Sequence, residues 1–205
     1  MRLLSLVLGL CLSISALGDD GGVEELVNQA LDAYRSGKKQ QAAELLQKAA
    51  SLIQREGEQG LASFVPAAPE GWERDDIDSQ SGTWDSGEQS FQWTQISTAY
   101  RKGDCRVKLM ISSSPQLLQA QKAMVDMLQN EDYRKMMNSD PSRKVDLFAR
   151  DGWSGFTQTE KDGDVSRFAL TEKLMCQIEI SSGDEAALEQ FSGLIDWGGL
   201  GAAQR

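Results

Sequence analysis

Between residues 23 and 56, apolar side chains recur at helical spacing. Leu26, Ala30 and Ala33 mark one face; Ala42, Leu45, Leu46, Ala49, Leu52 and Ile53 mark a second. Ser36-Gly37-Lys38 interrupts the pattern, and Gly37 suits the left-handed position that follows a helix end. Two helices joined by a tight turn are therefore predicted, a hairpin occupying residues 19–56. Gly57, Gly60, Pro66, Pro69 and Gly71 then break the periodicity, so residues 57–71 read as a linker.

From Trp72 the period shortens to two. Strands are predicted at 72–78 and 90–100, with Ser79 to Ser90 as a polar surface loop between them. Lys102-Gly103-Asp104 reads as a hairpin turn. Cys105, Val107, Leu109 and Ile111 alternate with Arg106, Lys108 and Met110, as in a strand with one buried face. Ser114-Pro115 is a cap and first helical residue, opening a helix to about Met137. Further strands are predicted at 144–150, 153–160 and 165–171. Another carries Cys176, Ile178 and Ile180 on one side. Ser182-Gly-Asp-Glu185 reads as a capping box for a last helix bearing Leu188, Phe191, Leu194 and Ile195. The fold class expected is α+β: an antiparallel sheet with two packed helices, preceded by the hairpin. The α+β domain spans 72–197, and residues 198–205 form a frayed tail.

The two halves of this domain resemble each other. Cys105-Arg-Val-Lys-Leu-Met-Ile-Ser-Ser and Cys176-Gln-Ile-Glu-Ile-Ser-Ser each precede a helix, which suggests a duplicated βββα unit. Both cysteines are in phase with buried positions. They either form one disulfide, closing a loop of about 70 residues worth roughly 4 kcal/mol on the chain-entropy model, or lie as two buried thiols.

The N-terminus bears on address. Arg2 is followed by an apolar stretch from Leu3 to Leu17, then Ala16-Leu17-Gly18 offers small residues where a signal peptidase reads. Residues 1–18 are therefore expected to be a cleavable signal peptide, and the protein periplasmic or secreted. No later segment approaches membrane-spanning length. The net charge is −10, and it grows more negative once Arg2 is removed. Such acidity repels nucleic acid and anionic membranes. There is no histidine, which excludes Ser-His-Asp and Cys-His systems and the usual zinc sites.

Two resemblances add to this reading. Ala30, Gly37, Ala42, Leu46 and Ala49 fall where a tetratricopeptide repeat places its packing residues, although Gln54 stands where that repeat carries proline. Phe64-Val-Pro-Ala-Ala-Pro-Glu-Gly-Trp72, Ser79-Gln-Ser81 and Tyr100-Arg-Lys-Gly-Asp104 resemble a group of bacterial periplasmic proteins. The strand-rich plan with two helices is similar to the PsbP/Mog1-like fold. That resemblance implies an accessory or binding role, and it brings no catalytic residues with it.

No catalytic, cofactor or metal motif stands out. Asp75, Asp76 and Asp78, and Asp162 with Asp164, are acidic knots at a strand end and a turn, without calcium-loop spacing. Trp84, in the polar loop, is the candidate exposed contact residue. A single helical hairpin cannot bury its own faces, so residues 23–56 are expected to engage a protein partner or a second copy. The alternatives are a small-ligand carrier, or an enzyme or redox protein using carboxylates or the Cys105–Cys176 pair.

Overall fold

The computed structural model describes residues 22–85, 87, 90–182 and 185–203, the side chains of residues 84, 85 and 185 excepted. The expected signal peptide, residues 1–18, and the centre of the expected capping box lie outside the described residues. The chain divides into two compact units, Met1–Leu52 and Ile53–Arg205.

The first unit is the predicted hairpin. Helix α1 (Val23–Arg35) ends at Ser36, and helix α2 begins at Lys39. The turn is a Schellman motif. Lys38 N donates to Ala33 O at 2.9 Å and Gly37 N to Tyr34 O at 3.0 Å, with Gly37 at φ +80°. The seam between the helices is made of alanines: Ala30, Ala33, Ala42 and Ala49 are all buried.

Helix α2 (Lys39–Ala62) does not stop at the expected linker. It continues through Gly57 and Gly60, which cost about 1 kcal/mol each in a helix interior. The compensation lies just beyond them. Leu61 and, past the helix end, Val65 are buried in the core of the second unit, and burying such a side chain stabilises by about 1.5–3 kcal/mol.

The second unit is α+β. Its strands are β1 (Glu73–Arg74), β2 (Asp78–Asp85), β3 (Ser90–Lys102), β4 (Cys105–Ser112), β5 (Arg143–Arg150), β6 (Trp153–Glu160), β7 (Val165–Leu170) and β8 (Met175–Ser181). They form one eight-stranded antiparallel sheet in the order β1-β3-β4-β8-β7-β6-β5, with β2 also paired to β3. Strand β2 occupies the first part, to Asp85, of the loop expected from Ser79 to Ser90. It is an edge strand, so it needs little apolar content; the 13-residue β3 gives it a ladder to join.

Helices cover both faces. One face carries Val107, Leu109, Ile111, Cys176, Ile178 and Ile180 against Leu188 and Phe191 of α5 (Glu185–Leu194). The other carries Phe156, Leu170, Met175 and Val145 against Val125 and Leu128 of α3 (Pro115–Gln129). The single helix expected to Met137 is two. Asn130 is extended, and its side chain accepts from Asp132 N and Tyr133 N, capping α4 (Glu131–Met137). The expected frayed tail contains a further helix, α6 (Trp197–Ala202), capped by Asp196 and anchored by buried Trp197 and Leu200.

The resemblance between the halves holds for the strands and fails for the helices. In the central ladder, Val107 pairs with Ile180, Leu109 with Ile178 and Ile111 with Cys176. A two-fold axis through Leu109–Ile178 exchanges Val107 with Cys176 and Ile111 with Ile180, as the matching Ser-Ser ends require. The same axis would keep both following helices on one face, yet α3 and α5 lie on opposite faces. The exits differ: Ser182 leaves β8 at φ 55°, whereas Ser114 enters α3 in extended backbone. The expected βββα duplication is thus a duplication of strand pairing only.

Candidate functional site

The hairpin buries small residues and exposes large ones. Val27, Leu31 and Tyr34 of α1 are 42%, 45% and 61% exposed. Leu46 and Ile53 of α2 are 52% and 51% exposed. These five account for most of the exposed large apolar side chains on the described surface. Single exposed apolar residues are ordinary; a stripe of them marks a contact surface.

Spacing places Val27, Leu31, Tyr34 and Leu46 on one side of the hairpin. Tyr34 and Leu46 each follow a buried alanine, Ala30 and Ala42, by four positions, and Val27, Leu31 and Tyr34 share a side at steps of four and three. A step of four advances about 40° around the axis. In two antiparallel helices of the same hand, equal advances lean toward the same side of the layer. The opposite side is more polar. A groove there is lined by Gln29, Asp32, Ala33, Ser36, Gln41 and Leu45, and another by Gly37 to Gln41 with Glu44.

The two cysteines are not brought together. Cys105 opens β4, opposite Lys102, while Cys176 pairs with Ile111 at the far end of the same strand. Six residues of strand separate them, about 20 Å, whereas a disulfide needs Cα atoms within about 7 Å. The Cys105–Cys176 bridge expected as one alternative is therefore excluded, and the redox reading loses its pair. Cys176 is fully buried, and burial pushes its thiol pKa up to about 12. It is a core residue and a poor nucleophile.

Trp84 stands in β2 opposite Phe91, not in a loop, and its side chain lies outside the described residues. Of the other tryptophans, Trp72, Trp153 and Trp197 are buried. Trp93 is half-buried, its indole close over Gly82 of β2, where a Cβ would come within 3.0 Å of the ring.

The acidic knots have local explanations. Asp75 pairs with Arg101 at 2.6 Å. Asp164 accepts from Ser182 N, and Asp162 from Asp164 N. Among the described residues no group of three or more metal-ligating side chains is placed to hold an ion. No helix among them is long and apolar enough to cross a membrane.

One polar cluster in the core escapes sequence reasoning. Arg167 of β7 is 7% exposed. It donates to Thr157 Oγ1 at 3.0 Å, Ser192 Oγ at 2.9 Å and Glu189 at 2.6 Å, and stacks over Phe148 at 4.6 Å. Its donors are engaged by β6 and α5, so it ties α5 to the sheet. Its position in phase with Val165 and Ala169 was the available signal.

No known protein family, curated protein or solved structure matches the chain.

Proposed function

We propose that this chain is an exported, non-catalytic binding protein of the bacterial cell envelope. In this reading the helical hairpin makes the contact and the α+β domain serves as a rigid platform. One observation carries it: four large apolar side chains, Val27, Leu31, Tyr34 and Leu46, stand exposed on one side of a hairpin whose own seam is built from alanine. A two-helix layer of that kind leaves its main hydrophobic gain unrealised until another polypeptide covers it. The apolar N-terminal stretch after Arg2 supports export, and the tetratricopeptide-like spacing supports a docking role for the hairpin.

The test is site-specific photo-crosslinking in the native envelope. A photoreactive residue at Leu31 or Leu46 should give a discrete product of higher mass, and one at Lys122 on the exposed surface of α3 should not. Products of equal yield at all three positions, or none at Leu31 and Leu46, would sink the docking role.

A further inference from the structure

We propose that the apolar side of the hairpin is covered by the same side of a second copy, the two hairpins crossing antiparallel into a four-helix bundle. This rests on the docking role argued above and names its partner.

Charge favours a second copy at this surface. The protein carries a net −10, so two copies repel each other through most of their surface. The hairpin is the exception. Over residues 22–52, Glu24, Glu25, Asp32 and Glu44 are balanced by Arg35, Lys38, Lys39 and Lys48. A like-charged copy can approach this balanced stretch at much lower cost.

Those charges are also segregated by end. The start of α1 is acidic, with Glu24 and Glu25 in its first turn. The turn end of the hairpin is basic, with Arg35, Lys38 and Lys39, offset only by Asp32. A two-fold axis lying in the interface and perpendicular to the helices reverses the second hairpin. It sets the acidic end of each copy against the basic end of the other, so both contacts are favourable at once. Parallel packing would set like ends together.

The apolar side chains also come into register. In that arrangement α1 meets α1 of the second copy about a crossing point near residues 30 and 31. Val27 then faces Tyr34 of the second copy, and Leu31 faces its own counterpart, while Leu46 extends the contact on α2. The stripe is self-complementary, which is what an isologous interface requires.

Sedimentation equilibrium on the intact protein tests this, with thermal melts to confirm that each variant folds. The wild type should be a dimer whose dissociation constant rises at least tenfold in Leu31→Glu. Two exposed charge variants provide a readout that misfolding cannot imitate. Glu24→Lys/Glu25→Lys and Arg35→Glu/Lys38→Glu should each be monomeric alone and should form a heterodimer when mixed. A wild type that is monomeric at all concentrations overturns the second-copy proposal, while crosslinking at Leu31 to a different protein would leave the docking role standing. A dimer indifferent to Leu31→Glu and to the charge variants uses another surface and overturns the proposal as well.

Discussion

The indole Nε1 of Trp153 donates to the main-chain oxygen of Trp197 at 2.8 Å, and the two rings meet edge-on with centroids 5.3 Å apart. Trp197 in turn donates its own Nε1 to Ser192 O at 2.8 Å. The C-terminal helix is thus fastened to the first residue of β6 by a relay of two buried indoles. Trp197→Ala should destabilise by about 3–5 kcal/mol, the usual range for emptying a large aromatic site. Trp153→Phe should lose about 1 kcal/mol for the hydrogen bond, beyond its lost volume. Trp72 is a built-in control, because its buried Nε1 has no hydrogen-bond partner among the described residues. Trp72→Phe should therefore cost less than Trp153→Phe in urea denaturation.

Arg167 and Glu189 make a 2.6 Å ion pair, but Glu189 is largely exposed. Solvent screening leaves such a pair worth less than about 1 kcal/mol, so Glu189→Gln should barely move the urea midpoint. Arg167→Ala should cost about 3 kcal/mol. It strips Thr157 and Ser192 of their partner and leaves a void beneath Phe148. Equal effects of the two substitutions would contradict this division.

Tyr100 is buried, its hydroxyl donating to Pro66 O at 2.8 Å, and its pKa is pushed up to about 12, chiefly by burial. The Cys176 thiol is raised to about 12 by burial alone. For both groups the unfolded chain ionises first as pH rises, so alkali favours unfolding. Their contribution to stability is intact below about pH 9 and is lost progressively between there and about pH 12. Urea midpoints at pH 7, 9 and 10.5 should show little change over the first interval and a decline over the second. Tyr100→Phe with Cys176→Ala should flatten that decline.

Alkylation gives a separate check on the thiols. At neutral pH, Cys176 should react only after unfolding, and mass analysis without reductant should find no peptide linking Cys105 to Cys176. A linked peptide would refute the six-residue offset in β4.

The division at Leu52 predicts where the chain can be cut. Removing residues 22–52 should leave a cooperatively folding α+β unit. Extending the deletion through Val65 removes two side chains buried in its core, Leu61 and Val65, at about 1.5–3 kcal/mol each. Thermal melts of the two truncations should differ by roughly 6–24 °C.

Much of this architecture was legible from local pattern. The hairpin turn at Gly37 and the alternation from Cys105 to Ile111 needed only short-range rules. What escaped was set by distant partners. Strand β2 is polar and forms because β3 is long enough to receive it. Gly198 and Gly199 read as fraying, yet Leu200 behind them is fully buried. Alternation revealed that both cysteines face the same side of the sheet. It could not reveal the register between β4 and β8, which places them at opposite ends. The exposed stripe of the hairpin was visible only in part. The periodicity set Leu46 and Ile53 beside the alanines, without showing that the alanines would take the interior.

The central ladder has a kinetic consequence. Every other pairing of long strands in the sheet joins neighbours in sequence, whereas β4 and β8 meet across more than sixty intervening residues. The local hairpins can close early and cheaply. The two halves of the sheet can join only after a large loop has been brought together, and until then the edges of β4 and β8 stand unpaired. High contact order of this kind makes the last union slow, and it is the stage at which a nascent chain is most open to pairing with the wrong strand. Substitutions at Leu109 or Ile178, the two residues at the centre of that ladder, should slow refolding more than equally destabilising changes within β6 or β7.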